Sequence, residues 1–282
     1  MKKKIRYIFF IGVMILSTLC YYEIKTSYKD LNLSNYIVNT KKINNGINFV
    51  IISDLHDNEI GENNKELVDK IMNQSPDAIL VVGDMINNNS KDSDIVINFM
   101  KQLSKNARVF YSLGNSEEDY IKAGNSDLIK ELENIDVTVL DNEYEDLKIK
   151  NTTIRIGGMY DYAFGLDKYN SDTYDFLSEF QYTDNYKIMM AHRPDSFIFG
   201  DASIIWDIDL VVSGHTHGGQ VVFPFLGGLY VGDQGWFPKY TKGLYDLNRM
   251  RVIITSGLGS NKQKLPRFNN PPEIVDLELN NK

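Results

Sequence analysis

The chain has 282 residues, 43% of them hydrophobic, and its 30 basic and 38 acidic side chains give a formal net charge of -8. That size and apolar content bury a full core, which excludes a disordered protein and predicts one large or two small α/β or β domains. The acidic balance excludes nucleic-acid binding through a general basic surface, so no nucleic-acid partner is expected; the single cysteine, Cys20, excludes an internal disulfide or a thiolate metal cluster.

In chain order, the first segment is MKKKIRYIFFIGVMILSTLCYYEIK. Lys2, Lys3, Lys4 and Arg6 precede an apolar run from Tyr7 to Tyr22, a little short of the roughly 20 residues that cross a bilayer. Tyr7, Tyr21 and Tyr22 suit interfacial positions at its ends. A cleaved signal peptide needs a small-x-small site after the run, which the sequence lacks, and Leu19 stands where a lipoprotein signal has a small residue before Cys20. The charged flank argues against a buried core helix. The expectation is an uncleaved anchor over residues 1–23, giving a single-pass protein of the cell membrane whose remaining chain is extracytoplasmic.

Residues 24–45 are polar and rich in Lys and Asn and read as a tether, with a candidate edge strand at NYIVN; residues 46–282 read as one domain. There, short apolar runs end in polar, metal-capable residues. INFVIISDLH ends in Asp54 and His56, DAILVVGD in Asp84, ARVFYSLGN in Asn115, YKIMMAH in His192, and IDLVVSGHTH in His215 and His217. Continuous β-branched runs suit strands buried on both faces. Between the first three, NNKELVDKIMNQ aligns Leu67, Val68, Ile71 and Met72 on one helical face, and SDIVINFMKQL aligns Ile95, Val96, Phe99, Met100 and Leu103. The βαβαβ order predicts parallel pairing. VTVLDNEYEDLKIKNTTIRIGGMYD predicts alternating strands about an Asn-rich turn and MRVIITSGLGS a further strand. Together these predict two sheets packed face to face with helices outside.

Ligand sites in open α/β sheets lie beyond the carboxyl ends of strands, where all of these polar residues fall. Residues two apart in extended chain share a side, so Asp54 and His56 are expected to address one ion, and His215 and His217 to point together. Five strand ends then offer seven nitrogen or oxygen ligands, enough for two ions about 3.5–4 Å apart that share a carboxylate. The mixture of imidazole and carboxylate suits Mn, Fe or Zn better than Ca or Mg. Each motif alone is common. The weight rests on all four histidines falling at strand ends beside Asp or Asn, and on GHTHGGQ, whose glycines allow close backbone approach and are expected to leave room for a substrate.

With D-x-H, G-D, G-N, H and G-H-x-H in that order, the chain resembles the calcineurin-like metallophosphoesterases from about Phe49 to Leu277. The nearer resemblance is to bacterial membrane-anchored phosphodiesterases of that family, through SDLH, GHTHGGQ and SGLGSNKQKLPRFNNPPEI. The resemblance implies an α/β fold of four layers, an α/β/β/α sandwich, and two divalent metal ions, Mn first with Fe or Zn as alternatives. It implies that Asp54, His56 and His217 hold one ion, that Asn115, His192 and His215 hold the other, and that Asp84 bridges them. The implied reaction is hydrolysis of a phosphodiester or pyrophosphate bond by a hydroxide held between the ions, with Asp84, Asn115 and His217 as catalytic residues.

One position departs from the family pattern. Where the family reads G-N-H, this chain reads GNSEED, so Ser116 replaces the histidine that protonates the leaving oxygen or steadies the phosphoryl group. Serine is too weak an acid for that task. Leaving groups that depart as stabilised anions are therefore favoured, as in activated phosphodiesters or pyrophosphates. Glu117 and Glu118 are candidate substitute acids. The alternative reading is a non-catalytic, metal-stabilised phosphate-binding module; retention of all seven ligands favours the enzyme. Arg193 is a candidate contact to a substrate phosphate, or else a partner of Asp195. The aromatic segments Gly158–Phe176 and Phe223–Tyr245 are candidates for a rim that receives a lipid or a nucleobase, with ordinary loop packing as the alternative. Location beside the anchor points to a phosphoester small molecule or lipid of the membrane or envelope as substrate.

Overall fold

The computed structural model describes residues 2–28, 30–160, 171–259 and 266–282. The chain runs from α1 (Lys2–Thr26) into β1 (Asn32–Thr40) and β2 (Ile47–Ile52). It then alternates α2 (Lys65–Met72), β3 (Ala78–Val82), α3 (Asp94–Ser104), β4 (Arg108–Ser112), α4 (Asn115–Lys122), α5 (Leu128–Glu133) and β5 (Val137–Leu140). The second half holds β6 (Glu143–Ile149), β7 (Thr152–Met159), α6 (Ser171–Phe180), β8 (Tyr186–Ala191), α7 (Asp195–Phe199), α8 (Ala202–Ile205) and β9 (Leu210–Ser213). Short strands β10 (Val222–Phe223), β11 (Gly227–Gly228), β12 (Tyr230–Val231) and β13 (Gly235–Trp236) precede β14 (Gly243–Leu247), β15 (Met250–Ile254) and β16 (Glu273–Asn281).

Two six-stranded sheets result, ordered β1-β16-β2-β3-β4-β5 and β14-β15-β9-β8-β7-β6. β2 to β5 pair in parallel, as the βαβαβ order predicts. β7, β8, β9 and β15 are also parallel, and antiparallel hairpins close both edges of that sheet. β5 and β6 are neighbours in sequence but belong to different sheets. The chain crosses between them at Asn142, whose φ of 53° turns the backbone sharply.

Each sheet buries both faces. Phe49, Ile51, Leu80 and Phe110 of the first sheet meet Ile154, Ile188, Met190 and Val212 of the second in a shared inner cluster. The alternate residues Val50, Ile79, Val81 and Val109 pack against Leu67, Ile71, Val96 and Phe99 of α2 and α3. Met189, Val211 and Val252 pack against Phe176, Phe180 and Trp206 on the opposite outer face. The fold is the four-layer α/β/β/α sandwich, and burial on both faces is why the strands are continuous apolar runs.

Two segments near the N-terminus differ from expectation. The edge strand expected at NYIVN extends over nine residues, lying parallel to β16. Much of the presumed tether is thus sheet. Its signal is weak because only Val38 within it is fully buried. α1 has 25 residues and runs past the expected boundary at residue 23. Over Lys3–Thr26 it is long and apolar enough to cross a membrane, a property that signal sequences share.

Candidate metal centre

The strand ends converge as predicted, but not through extended backbone. Asp54, His56, Asp84, His215 and His217 have φ of 56°, 51°, 54°, 67° and 48°, in the left-handed region. Such residues cost of order 1–3 kcal/mol each and persist where the surroundings over-determine them. Here backbone hydrogen bonds between turns do so. The Asp54 amide donates to the Gly83 carbonyl at 2.9 Å and the His56 amide to the Asp84 carbonyl at 3.1 Å. The His215 amide donates to Asp54 Oδ2 at 3.1 Å. Strand alternation therefore does not bring Asp54 and His56 together; the turn after β2 does.

Asp54 Oδ1 lies 3.5 Å from His217 Nε2 and 3.9 Å from both His56 Nε2 and His192 Nε2. Asp84 Oδ2 lies 3.6 Å from His56 Nε2 and 3.4 Å from His192 Nε2, between the two halves of the cluster. Asn115 Nδ2 donates to the same oxygen at 3.3 Å. The ligand atoms of Asp54, His56 and His217 fall within 4.8 Å of one another, and those of Asp84, His192 and His215 form a second such group. His215 Nε2 also pairs with Asp233 Oδ2 at 2.9 Å, a contact with no sequence signal beyond an acid in a Gly-rich turn.

Electrostatics favour cations here. Burial opposes ionisation of Asp84, yet His192 and His56 hold its carboxyl well below the usual range. Burial likewise opposes charge on His192, but Asp84 and Asp54 outweigh it and raise that imidazole to about 9. His192 Nε2 and Asn115 Oδ1 are buried and make no hydrogen bond of good geometry among the described residues. His56 Nε2 and His217 Nε2 approach to 3.3 Å. Lone-pair donors crowded together in this way fit divalent first-row cations.

The scaffold behind the ligands uses close backbone approach. A Cβ on Gly214 would collide with Ser53 Oγ and Asp54 Oδ2, and one on Gly114 with Asp84 Oδ1. The glycines of GHTHGGQ serve the same end. A Cβ on Gly218 would lie 2.7 Å from Asn270 Oδ1, and one on Gly219 2.6 Å from Gly228 Cα. They seat the loop against its neighbours rather than making room for a substrate.

The model of the calcineurin-like phosphoesterase family matches residues 47–219. The chain belongs to this family. A metallophosphoesterase of Campylobacter jejuni is 33% identical over 99% of this chain and 71% of its own length. The metallophosphoesterase YkuE of Bacillus subtilis is 28% identical over 83% of this chain and 79% of its own. The phosphodiesterase YaeI of Escherichia coli is 29% identical over 73% of this chain and 71% of its own. Membership makes the protein a phosphoester hydrolase of a family that uses divalent metal ions.

In this phosphoesterase Glu117 does not replace the missing histidine. Glu117 is wholly buried and accepts hydrogen bonds from the amides of Asp84 (2.8 Å), Met85 (2.7 Å) and Gly114 (2.8 Å) and from the Tyr111 hydroxyl (2.7 Å). Glu118 pairs with Lys122 at 2.5 Å. Ser116 contributes its backbone: its amide donates to Asp84 Oδ1 at 2.8 Å. Arg193 lines a cavity of about 530 Å³ beside His215, His217, Tyr230 and Asp233. Of the first aromatic segment, Phe176 packs into the core beside Phe180 and not at a rim, and residues 161–170 lie outside the described residues. The second segment does reach the cavity, through Tyr230.

Sequence reasoning passed over two further buried charges. Arg267 donates to the carbonyls of Ser256 (2.6 Å), Gly257 (3.1 Å) and Asn270 (3.2 Å), fixing the loop that packs on Asp54. Glu273 accepts from the Ser256 amide at 2.7 Å and from Lys242 at 2.9 Å. Their partners are distant in sequence or are backbone atoms, which no side-chain pattern reveals.

Proposed function

We propose that this phosphoesterase hydrolyses a phosphodiester or pyrophosphate bond with two divalent cations, Mn first and Fe or Zn as alternatives, acting on a membrane or envelope substrate outside the cytoplasm. The observation that carries the reading is Asp84 Oδ2, set 3.6 Å from His56 Nε2 and 3.4 Å from His192 Nε2, within reach of a histidine from each ligand group. Asp54, His56 and His217 would hold one cation, and Asn115, His192 and His215 the other, with Asp84 common to both. Such ions, when bound, supply a nucleophile from water near neutral pH and neutralise phosphoryl oxygens.

The chain's own groups then set the preference. Arg193 offers a charged fork to a phosphate oxygen on the cavity wall. Asp233 holds the His215 ring in a fixed orientation. Ser116 and the engaged Glu117 supply no proton to a departing alkoxide, so stabilised leaving groups are preferred. The name of the relative YaeI, a phosphodiesterase, supports the same preference.

The test is turnover by the full chain in detergent with Mn, on an aryl phosphodiester and the matching aryl monoester, with Asp84→Asn as blank. Diester turnover above both blank and monoester is expected. Monoester turnover equal to diester turnover would remove the leaving-group argument, and no turnover on either would favour a phosphate-binding module.

A further inference from the structure

Two short hairpins rise beside the cavity. β10 pairs with β11, leaving Pro224, Phe225 and Leu226 at the tip, and β12 pairs with β13, followed by Phe237. Phe225 is fully exposed, Trp236 is 69% exposed, and Phe223, Leu226 and Phe237 are exposed with them. None of these five joins any of the three core clusters. The two hairpins are joined at Leu229, whose amide donates to the Val221 carbonyl at 2.7 Å and whose carbonyl accepts the Phe237 amide at 2.9 Å, and large apolar side chains exposed on neighbouring hairpins mark a face that is covered in use.

The connection to α1 indicates what covers it. The Val222 amide donates to the Phe268 carbonyl at 2.9 Å, and the rings of Phe223 and Phe268 stand 6.2 Å apart. On the same loop the Arg267 amide donates to the Tyr28 hydroxyl at 3.2 Å and the Asn270 amide to Ser27 Oγ at 3.4 Å. The loop that carries the first hairpin therefore also grips the end of α1, the helix long and apolar enough to cross a bilayer. A membrane crossed by α1 would meet the domain at this loop, with the hairpins next to it. Trp and Phe are suited to the bilayer interface, and the exposed Lys239, two residues past Phe237, suits anionic head groups. The second hairpin is also a wall of the site: Tyr230 lines the cavity and Asp233 holds His215.

We infer that the β10–β13 hairpins lie in the bilayer interface alongside α1 and bring the cavity mouth to the level of lipid head groups, so that the substrate is a phosphoester carried by a membrane lipid. The substrate class rests on the proposed hydrolase activity; the seating of the hairpins does not.

The chain has two tryptophans, and Trp206 is only 2% exposed, within the core, so quenching from the lipid phase reports Trp236. The full chain is placed in phosphatidylcholine and phosphatidylglycerol vesicles with acyl chains brominated near the head group, beside Trp236→Phe and the triple variant Phe225→Ser, Leu226→Ser, Phe237→Ser. Quenching relative to unbrominated vesicles is expected, lost in Trp236→Phe and reduced in the triple variant, which α1 still holds on the vesicle. Equal emission of the unaltered chain in both vesicle types overturns the seating of the hairpins. In a second arm, the triple variant should lose turnover of a vesicle-borne phospholipid but keep that of the soluble aryl diester; equal effects on the two overturn the substrate class. If the unaltered chain turns over neither, the hydrolase reading fails, and the quenching result still decides the hairpins.

Discussion

Glu117 holds Asp84 by its backbone: Oε2 accepts the Asp84 amide at 2.8 Å while Oε1 accepts the Tyr111 hydroxyl at 2.7 Å. With Met85, Ile86 and Gly114 also donating, the carboxylate has five donors and needs both oxygens as acceptors. It fixes the left-handed turn that presents Asp84.

Glu117→Gln turns one acceptor into a donor facing donors. A loss of about 1–3 kcal/mol in stability is expected, together with ~10–100-fold weaker metal binding, the usual cost of disturbing a group behind a ligand. Chemical denaturation and Mn titration check the two effects. Unchanged metal affinity would mean that the Asp84 turn holds its shape without Glu117.

Asp84→Asn keeps the shape of the side chain and removes the negative charge set between His56 and His192. Turnover should fall by more than the ~10–100-fold seen for groups behind the ligands, and metal content per chain should drop. Elemental analysis of the purified variant reads the second outcome without any assay of activity.

Much of this arrangement is legible in the sequence, for a physical reason. Parallel strands buried on both faces are written as unbroken apolar runs, and the residue that follows each run, such as Asp84 or His192, lies beyond the strand's carboxyl end, where sites form. The sequence is silent where backbone geometry decides. Alternation accounts for residues in extended chain, and Asp54 and His56 sit in left-handed turns. Glu117 reads as a spare acid because its partners are amides 32 and 33 residues away, at Met85 and Asp84. Asp233 and Arg267 act through loops whose paths only the folded chain defines.

Ser116→His restores the side chain of the family pattern at the N-terminal turn of α4. Positioned acids contribute roughly 100-fold or more, so monoester turnover should rise towards ~100-fold relative to diester turnover. An unchanged ratio of the two rates would place the limit on leaving-group departure elsewhere.

Metal affinity should depend on pH in a defined direction. Without metal, burial disfavours the charged His192 ring, but Asp84 and Asp54 raise it to about 9, so it carries a proton at pH 7. A ligand imidazole must give up that proton. Affinity should therefore rise with pH through neutrality and level off near 9, with proton release on binding. Calorimetry in two buffers of different ionisation enthalpy measures that proton directly; no release at pH 7 would contradict the assignment of His192 as a ligand.

Gly214→Ala drives a methyl group into Ser53 Oγ and Asp54 Oδ2. A loss of about 1–3 kcal/mol is expected from overpacking, with weaker binding at the half of the centre that Asp54 serves. Thermal denaturation with and without Mn separates the two: the stabilisation conferred by the metal should shrink along with the melting temperature.

The strand order also carries a consequence for biogenesis. β16 enters the first sheet between β1 and β2, pairing with one in parallel and with the other antiparallel. In synthesis β16 emerges only after every strand of the second sheet. Until then β1, directly behind α1, has no neighbour, and the flank of β2 stands open. The part of the domain closest to the helix is thus the last to close. A ribosome halted before residue 273 would leave two unpaired strand edges beside that helix, an invitation to wrong pairing or to a protease.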